Sequence, residues 1–306
     1  MLAPPPTIRP AARPIAFGAV ATILVGAMVP VTGLLQDYPV LTGQAIRYGL
    51  AAAALFVWLR ISHVSVPLPS RRDLIALVGL AATGMVGFNV VVLGALRYAE
   101  PGFVAALVGA APLVIALVAP IVGGRRPRPA AVVGALIVVA GVAVLTGGGT
   151  WRGPGLVLGL LALVGEACFT LLAVGVVARL GAIAVPFWSC LIASVGGAAL
   201  GSLMEASAAW QLPTPTEAVA LLILAVVVTT VGFVCWYRCV TGIGAARAAV
   251  LLGLVPVSGL VVSVLLGGEQ MTLASAVGVV VVGVGCAFGL RQSPQRHTAD
   301  EEPVHA

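Results

Sequence analysis

The sequence contains no lysine and little charge of either sign: charged residues make up 8% of its 306 positions. Soluble domains carry about 25%. With 60% hydrophobic residues and a mean hydropathy of +1.15, the chain has more apolar surface than a soluble fold can hide, so lipid is the solvent for most of it. Histidine is almost missing as well. His63, His297 and His305 fall in a loop or the tail, far from the five cysteines at 168, 190, 235, 239 and 286. Those cysteines all lie in apolar stretches and read as small core residues, so neither a metal nor another cofactor is expected. The net charge of +6 does not point to nucleic acid, because the basic residues are scattered among short loops with no interleaved aromatics. No phosphate-binding Gly-Lys loop occurs, which argues against ATP hydrolysis.

What the chain does have is long apolar runs. A helix needs about 20 residues to cross the hydrocarbon core. Ten stretches qualify: Ile15–Leu35, Leu41–Leu59, Asp73–Leu93, Gly102–Val122, Ala130–Thr146, Pro154–Val177, Val185–Leu203, Glu217–Tyr237, Gly244–Leu266 and Thr272–Leu290. The first follows a Pro-rich start with Arg9 and Arg13. It is too long for the core of a cleaved signal and no small-residue cleavage site follows, so it is expected to stay as a helix. Residues 1–14 then form a cytoplasmic segment and residues 291–306 a polar cytoplasmic tail. Thirteen of the arginines, including Arg60, Arg71, Arg72, Arg125, Arg126 and Arg128, fall on the side bearing both termini, against Arg97 and Arg152 on the other. The positive-inside rule puts both termini in the cytoplasm of a multi-pass protein of the plasma (bacterial inner) membrane.

The chain also repeats itself. Residues 105–143 align without a gap on residues 249–287, with 13 of 39 positions identical, where its composition allows roughly one in eight by chance. Pro112 falls on Pro256, Gly109 on Gly253, Gly123–Gly124 on Gly267–Gly268, Gly134 on Gly278 and Gly141 on Gly285. Loop charge does not repeat: Arg125-Arg126 stands where the second copy has Glu269-Gln270. Five helices per copy is an odd number, so the second copy starts from the opposite face. The expected fold is therefore all-α integral membrane, ten transmembrane helices as two inverted five-helix repeats, 15–146 and 154–290, an architecture of transporters.

The segment from Gly244 through Arg247 to Pro256, followed by Gly268-Glu269 and a Gly-punctuated helix, resembles the close of an EamA domain. The stretch around Arg47 in helix 2 resembles the second helix of that domain. EamA domains occur in pairs in the drug/metabolite transporter superfamily, and the resemblance covers roughly Ile15–Leu290. It implies a ten-helix carrier whose substrates are amino acids, other metabolites or drugs, usually exported.

Candidate site residues follow from what lipid tolerates. Pro112 and Pro256 lie near the middles of helices 4 and 9 and leave the carbonyls of Val108 and Leu252 without their usual donors. They read as hinges or cavity-lining breaks, or as kinks that only shape packing; Pro30 in helix 1 adds a weaker break. Glu166 sits about 12 residues into helix 6, deep in the bilayer, where a carboxyl must face protein or water. It could bind a substrate amine, carry a coupling proton, or make a neutral interhelical contact. Arg47 could pair with Glu166, grip a substrate carboxylate, or snorkel outward. Asn89 reads first as a helix–helix contact. Arg247 lines a cytoplasmic vestibule or only enforces topology, Trp236 and Tyr237 suit an interfacial belt, and Glu269 suits turn structure. The stripe Gly134/Gly141 with Gly278/Gly285 serves either packing between the repeats or a homodimer.

These features point to a secondary carrier exporting small metabolites, such as amino acids or amphipathic compounds, by alternating access, with proton coupling resting on Glu166. The alternatives are a multidrug efflux carrier and, further off, a channel or scramblase. An enzyme is not expected: no helix holds a histidine or a paired acidic motif.

Overall fold

The structure, a computed structural model, describes residues 12–291 except 36, 64–65, 100, 148 and 266–269. Glu269, the Gly267–Gly268 turn, both terminal segments with Arg9 and Arg296, and the side chain of Pro30 lie outside what is described. The helices in chain order are α1 (Ala12–Gly33), α2 (Val40–Ile61), α3 (Arg71–Leu96), α4 (Pro101–Val108 and Ala111–Val122), α5 (Pro129–Thr146), α6 (Gly155–Leu180), α7 (Ala184–Met204), α8 (Pro215–Ile243), α9 (Ala245–Ala248, Ala249–Gly253 and Leu254–Leu265) and α10 (Leu273–Gly289). Eight helices are long and apolar enough to cross a membrane, and two shorter apolar ones, Ala12–Met28 and Leu273–Gly289, complete an all-helical membrane fold of about ten. Ile75, Val157, Val195, Val219 and Val280, from five different helices, stand exposed, as side chains facing lipid do.

Local sequence sets the helix ends. Ser70 accepts from the N–H of Asp73 and the Asp73 carboxylate reaches back, a capping box that starts α3 two residues before the apolar run. Thr214 and Glu217 do the same for α8, at the positions 144 residues on. Helix α8 does not stop at the expected Tyr237. It runs to Ile243 and ends at Gly244, whose φ of 81° a side chain would resist. Trp236 and Tyr237 are consequently interior, 5% and 0% exposed, and not in an interfacial belt. The cause is tertiary: α1, α6 and the start of α9 all pack on this stretch.

Contacts between loops sort the helix ends onto two faces. On the face carrying the start of α1 and the end of α10, Arg179 pairs with Asp73 at 2.5 Å and Trp188 Nε1 donates to the Pro67 carbonyl at 3.1 Å. On the opposite face, Tyr38 Oη donates to the Gln211 carbonyl at 2.8 Å. There the Glu205 carboxylate accepts from the N–H groups of Leu41 (2.6 Å) and Thr42 (3.0 Å) and from the Thr42 hydroxyl (2.6 Å). It caps α2 from the end of α7, a negative charge on the positive end of a helix dipole.

Corresponding helices pack on each other. The main partner of α2 is α7, and that of α5 is α10. A side chain at Gly141 would press on Val282 and the Gly278 carbonyl, and one at Gly285 on Val138 and the Gly134 carbonyl. Gly134 lies against Gly289, and Gly278 against Leu145. Positions that rise along α5 fall along α10, so the two run antiparallel. On α2, Leu41 and Ala45 lie against Gly197 and Thr42 against Gly201, again antiparallel with α7. The glycine stripe is thereby spent inside the chain, where backbones approach closely without Cβ atoms between them. The first helices are exchanged: α1 packs on α8 and α9, and its counterpart α6 packs on α3 and α4.

Candidate functional site

A cavity of about 670 Å³ lies between the two halves. Its wall reaches Leu145 and Thr146, the last residues of α5, toward the face away from the termini. Its other end is Trp236. There Phe169 and Phe233 of the wall pack ring on ring with Tyr237 behind them, with centroids 5.4 to 6.2 Å apart. Tyr237 is fully buried there, and its hydroxyl has no hydrogen-bond partner among the described residues. The wall therefore extends toward the face away from the termini, and an aromatic cluster backs its other end.

Two charged side chains line it, Arg47 and Glu166. Glu166 is brought in by close backbone contact. A Cβ at Gly165 would lie 2.7 Å from the Thr83 carbonyl, and one at Gly84 would overlap Phe169, so α6 can seat on α3 only because both positions are glycine. Arg47 enters from α2, which Ser194 holds against α7 through a 2.8 Å bond to the Ala45 carbonyl. Its Nε donates to Thr229 Oγ1 at 2.8 Å, and its guanidinium lies 5.5 Å from the Tyr48 ring centre. Arg47 and Glu166 form no ion pair; among the described residues Arg179–Asp73 is the sole one.

Four helices lose regular geometry where they meet the cavity. Helix α4 is interrupted at Gly109–Ala110, and α9 tightens into a 3₁₀ turn over Ala249–Gly253. Val108, Gly109, Leu252, Val255 and Pro256 line the cavity there. Pro112 is buried just past the break, in the first turn of the second α4 segment, and is not part of the wall. Helices α3 and α8 each widen into a π-helical turn, at Ala82–Val86 and Leu224–Val231. Such turns misalign backbone donors and acceptors and recur at functional sites. The first segment, moved 144 positions on, falls within the second. Gly84 and Val228 of these turns reach the wall, and Thr229, the partner of Arg47, lies on the second.

Of the residues singled out from the sequence, Glu166, Arg47, Asn89 and Pro256 share this wall. Asn89 donates from Nδ2 to the Met85 carbonyl at 2.6 Å, inside its own helix. Arg247 is elsewhere: its Nη2 donates to the Leu290 carbonyl at 2.6 Å and ties α9 to the end of α10. Pro30 lies within α1, which contributes Ala21, Thr22, Val25 and Met28 to the wall. Phe169, Phe233 and Trp236 were not legible as wall residues, because an aromatic in an apolar helix gives no sign of which neighbour it faces. The paired π turns carry no sequence signal stronger than the threonines at 229 and 230.

The EamA-like transporter family profile matches twice, over residues 12–147 and 153–291. The chain belongs to the EamA-like transporter family. The α5–α6 connection lies between the two matched ranges. An uncharacterized transporter of Bacillus subtilis (strain 168), YetK, is 24% identical over 294 residues, covering 93% of this chain and 89% of the relative. A solved crystal structure with 24% identity superposes with a TM-score of 0.79 over 90% of this chain and 96% of the other, and shows the same fold. Family and relative thus point to a multi-pass membrane transporter.

Proposed function

We propose that this transporter is a secondary carrier exporting small amphipathic metabolites, including amino acids, by alternating access across the plasma membrane. The observation that carries the reading is a cavity built by both halves, its wall extended toward one face and backed by an aromatic cluster toward the other. On this reading, an occupant there reaches one side at a time. The arginines support the direction of insertion: Arg13, Arg60, Arg71, Arg72, Arg125, Arg126, Arg128, Arg179 and Arg291 belong to helix ends and loops of the face with the termini, which the positive-inside rule makes cytoplasmic. The open side is then external. Antiparallel packing of α2 on α7 and of α5 on α10 supports opposite insertion of the two repeats, and the paired breaks in α4 and α9 supply hinges for rocking.

The aromatic and aliphatic wall favours an apolar body, while Arg47 and Glu166 offer one cationic and one acidic contact for polar groups. A multidrug substrate range is the second reading, favoured by the size of the wall and the few polar groups on it. The test is a metabolite screen comparing efflux from cells with and without the protein, followed by uptake into reconstituted vesicles. Export predicts a small set of amphipathic metabolites depleted inside expressing cells. Broad resistance to unrelated hydrophobic toxins with no metabolite change supports the drug reading, and an unchanged profile with no vesicle uptake overturns both.

A further inference from the structure

We propose that Arg47 is the binding site for a small monovalent anion, either a halide from the medium or a carboxylate group of the transported metabolite. A guanidinium carries its charge at any physiological pH, and burying it without a counter-charge is costly. Arg47 is 6% exposed, yet each of its partners is neutral: Thr229 Oγ1, Gln44 Oε1, the Met28 sulfur and the Tyr48 ring. Only the Nε bond is short. The Nη1 contact to Gln44 is 3.5 Å and the Nη2 contact to Met28 sulfur is 3.7 Å, so the fork that grips anions best is scarcely used.

Arg47 is the one cation among the lining residues, so its fork has no charged rival. Thr22 and Thr146 line the central cavity, but each gives its hydroxyl hydrogen to a carbonyl of its own helix, and Asn89 gives one of its two amide hydrogens to the Met85 carbonyl. Arg47 also lines a second, smaller pocket of about 50 Å³ with Thr32, Tyr38 and Gln44, on the side away from the termini. Thr32 donates to the Met28 carbonyl and Tyr38 to the Gln211 carbonyl, so they too are engaged. A pocket of that size holds one small ion or a water or two. Arg47 therefore stands between a space that fits a halide and a cavity that fits a metabolite, with its fork only weakly engaged.

The carboxylate source rests on the transport reading above; the halide source does not. The test is thermal unfolding of the purified full chain in detergent, in a low-salt zwitterionic buffer, titrated separately with sodium chloride, sodium bromide and sodium propionate. The wild type is expected to gain several degrees as an anion is raised, with Arg47→Gln showing only the smaller drift that salt produces in any protein. Arg47→Lys keeps a point charge but loses the fork, so its response should weaken several-fold, and it serves where Arg47→Gln does not fold. A response to halides identifies an inorganic anion site, and a response to propionate alone identifies the carboxylate site. Equal responses in wild type and both variants, or none in the wild type, overturn the proposal. Vesicle uptake by the same wild-type preparation reports on transport separately, so loss of one reading is distinguishable from loss of the other.

Discussion

Glu166 and Arg47 illustrate how far single residues can be read. Both were identifiable because ionised groups inside an apolar helix are expensive in lipid and persist only where protein or water receives them. That they share one cavity without pairing depends on where α2 and α6 are held. If Glu166 carries the coupled proton, Glu166→Gln in reconstituted vesicles should abolish the pH dependence of uptake and lower its rate, because an amide has no titratable proton to carry. Full, pH-dependent uptake by the variant removes the coupling role. Glu205 shows the reverse case. Nothing in the sequence marks it out, yet it caps α2 with three hydrogen bonds. Glu205→Ala should cost about 1–3 kcal/mol, the usual worth of bonds to a charged group, read as a lower unfolding midpoint in detergent. A midpoint equal to that of wild type would deny the cap.

The elements carry the symmetry. Helices α5 and α10 touch through Gly134, Gly141, Gly278 and Gly285, and a Cβ at Gly285 would sit 2.7 Å from the Val138 nitrogen. Gly285→Leu should therefore destabilise by about 1–3 kcal/mol or more through overpacking. Gly283→Leu on the same helix, where a Cβ meets nothing within 4 Å, should be silent in the same unfolding assay. Had the stripe been a surface for a second copy, Gly285→Leu would change the oligomeric state and leave the monomer's stability intact. A second prediction separates two jobs of Asp73, which both caps α3 and pairs with Arg179. Asp73→Ala should lower thermal stability more than Arg179→Ala, because it removes the cap as well as the ion pair; Glu217→Ala, with a capping box alone, should fall nearer Arg179→Ala. Equal losses for Asp73→Ala and Arg179→Ala would mean that the box contributes nothing. The spacing Ser70–Asp73 and Thr214–Glu217 was present in the sequence, but a capping box is two residues among many polar pairs, and only the regular 144-residue offset makes it meaningful.

At the level of the whole molecule, the insertion of the two halves is testable directly. Reporter fusions after Pro127 and after Gln270 should report opposite sides of the membrane, the first cytoplasmic, and both on one side would refute opposite insertion. The all-helical membrane fold, the number of crossings and the repeat were legible in the chain because they follow from hydropathy and from recurring glycine and proline, which act locally. Glu166 and Arg47 were legible for the same reason, since the cost of charge in lipid is paid wherever the helix goes. The wall of the cavity was not. Which side of an apolar helix turns inward carries no polarity signal in lipid, so the inward turn of Trp236, the ring cluster of Phe169, Phe233 and Tyr237, and the separation of Arg47 from Glu166 were decided by packing alone. So was the use of the glycine stripe: helix-on-helix contact within one chain and between two copies obeys the same close-packing physics, and only the tertiary arrangement of α5 against α10 chose between them.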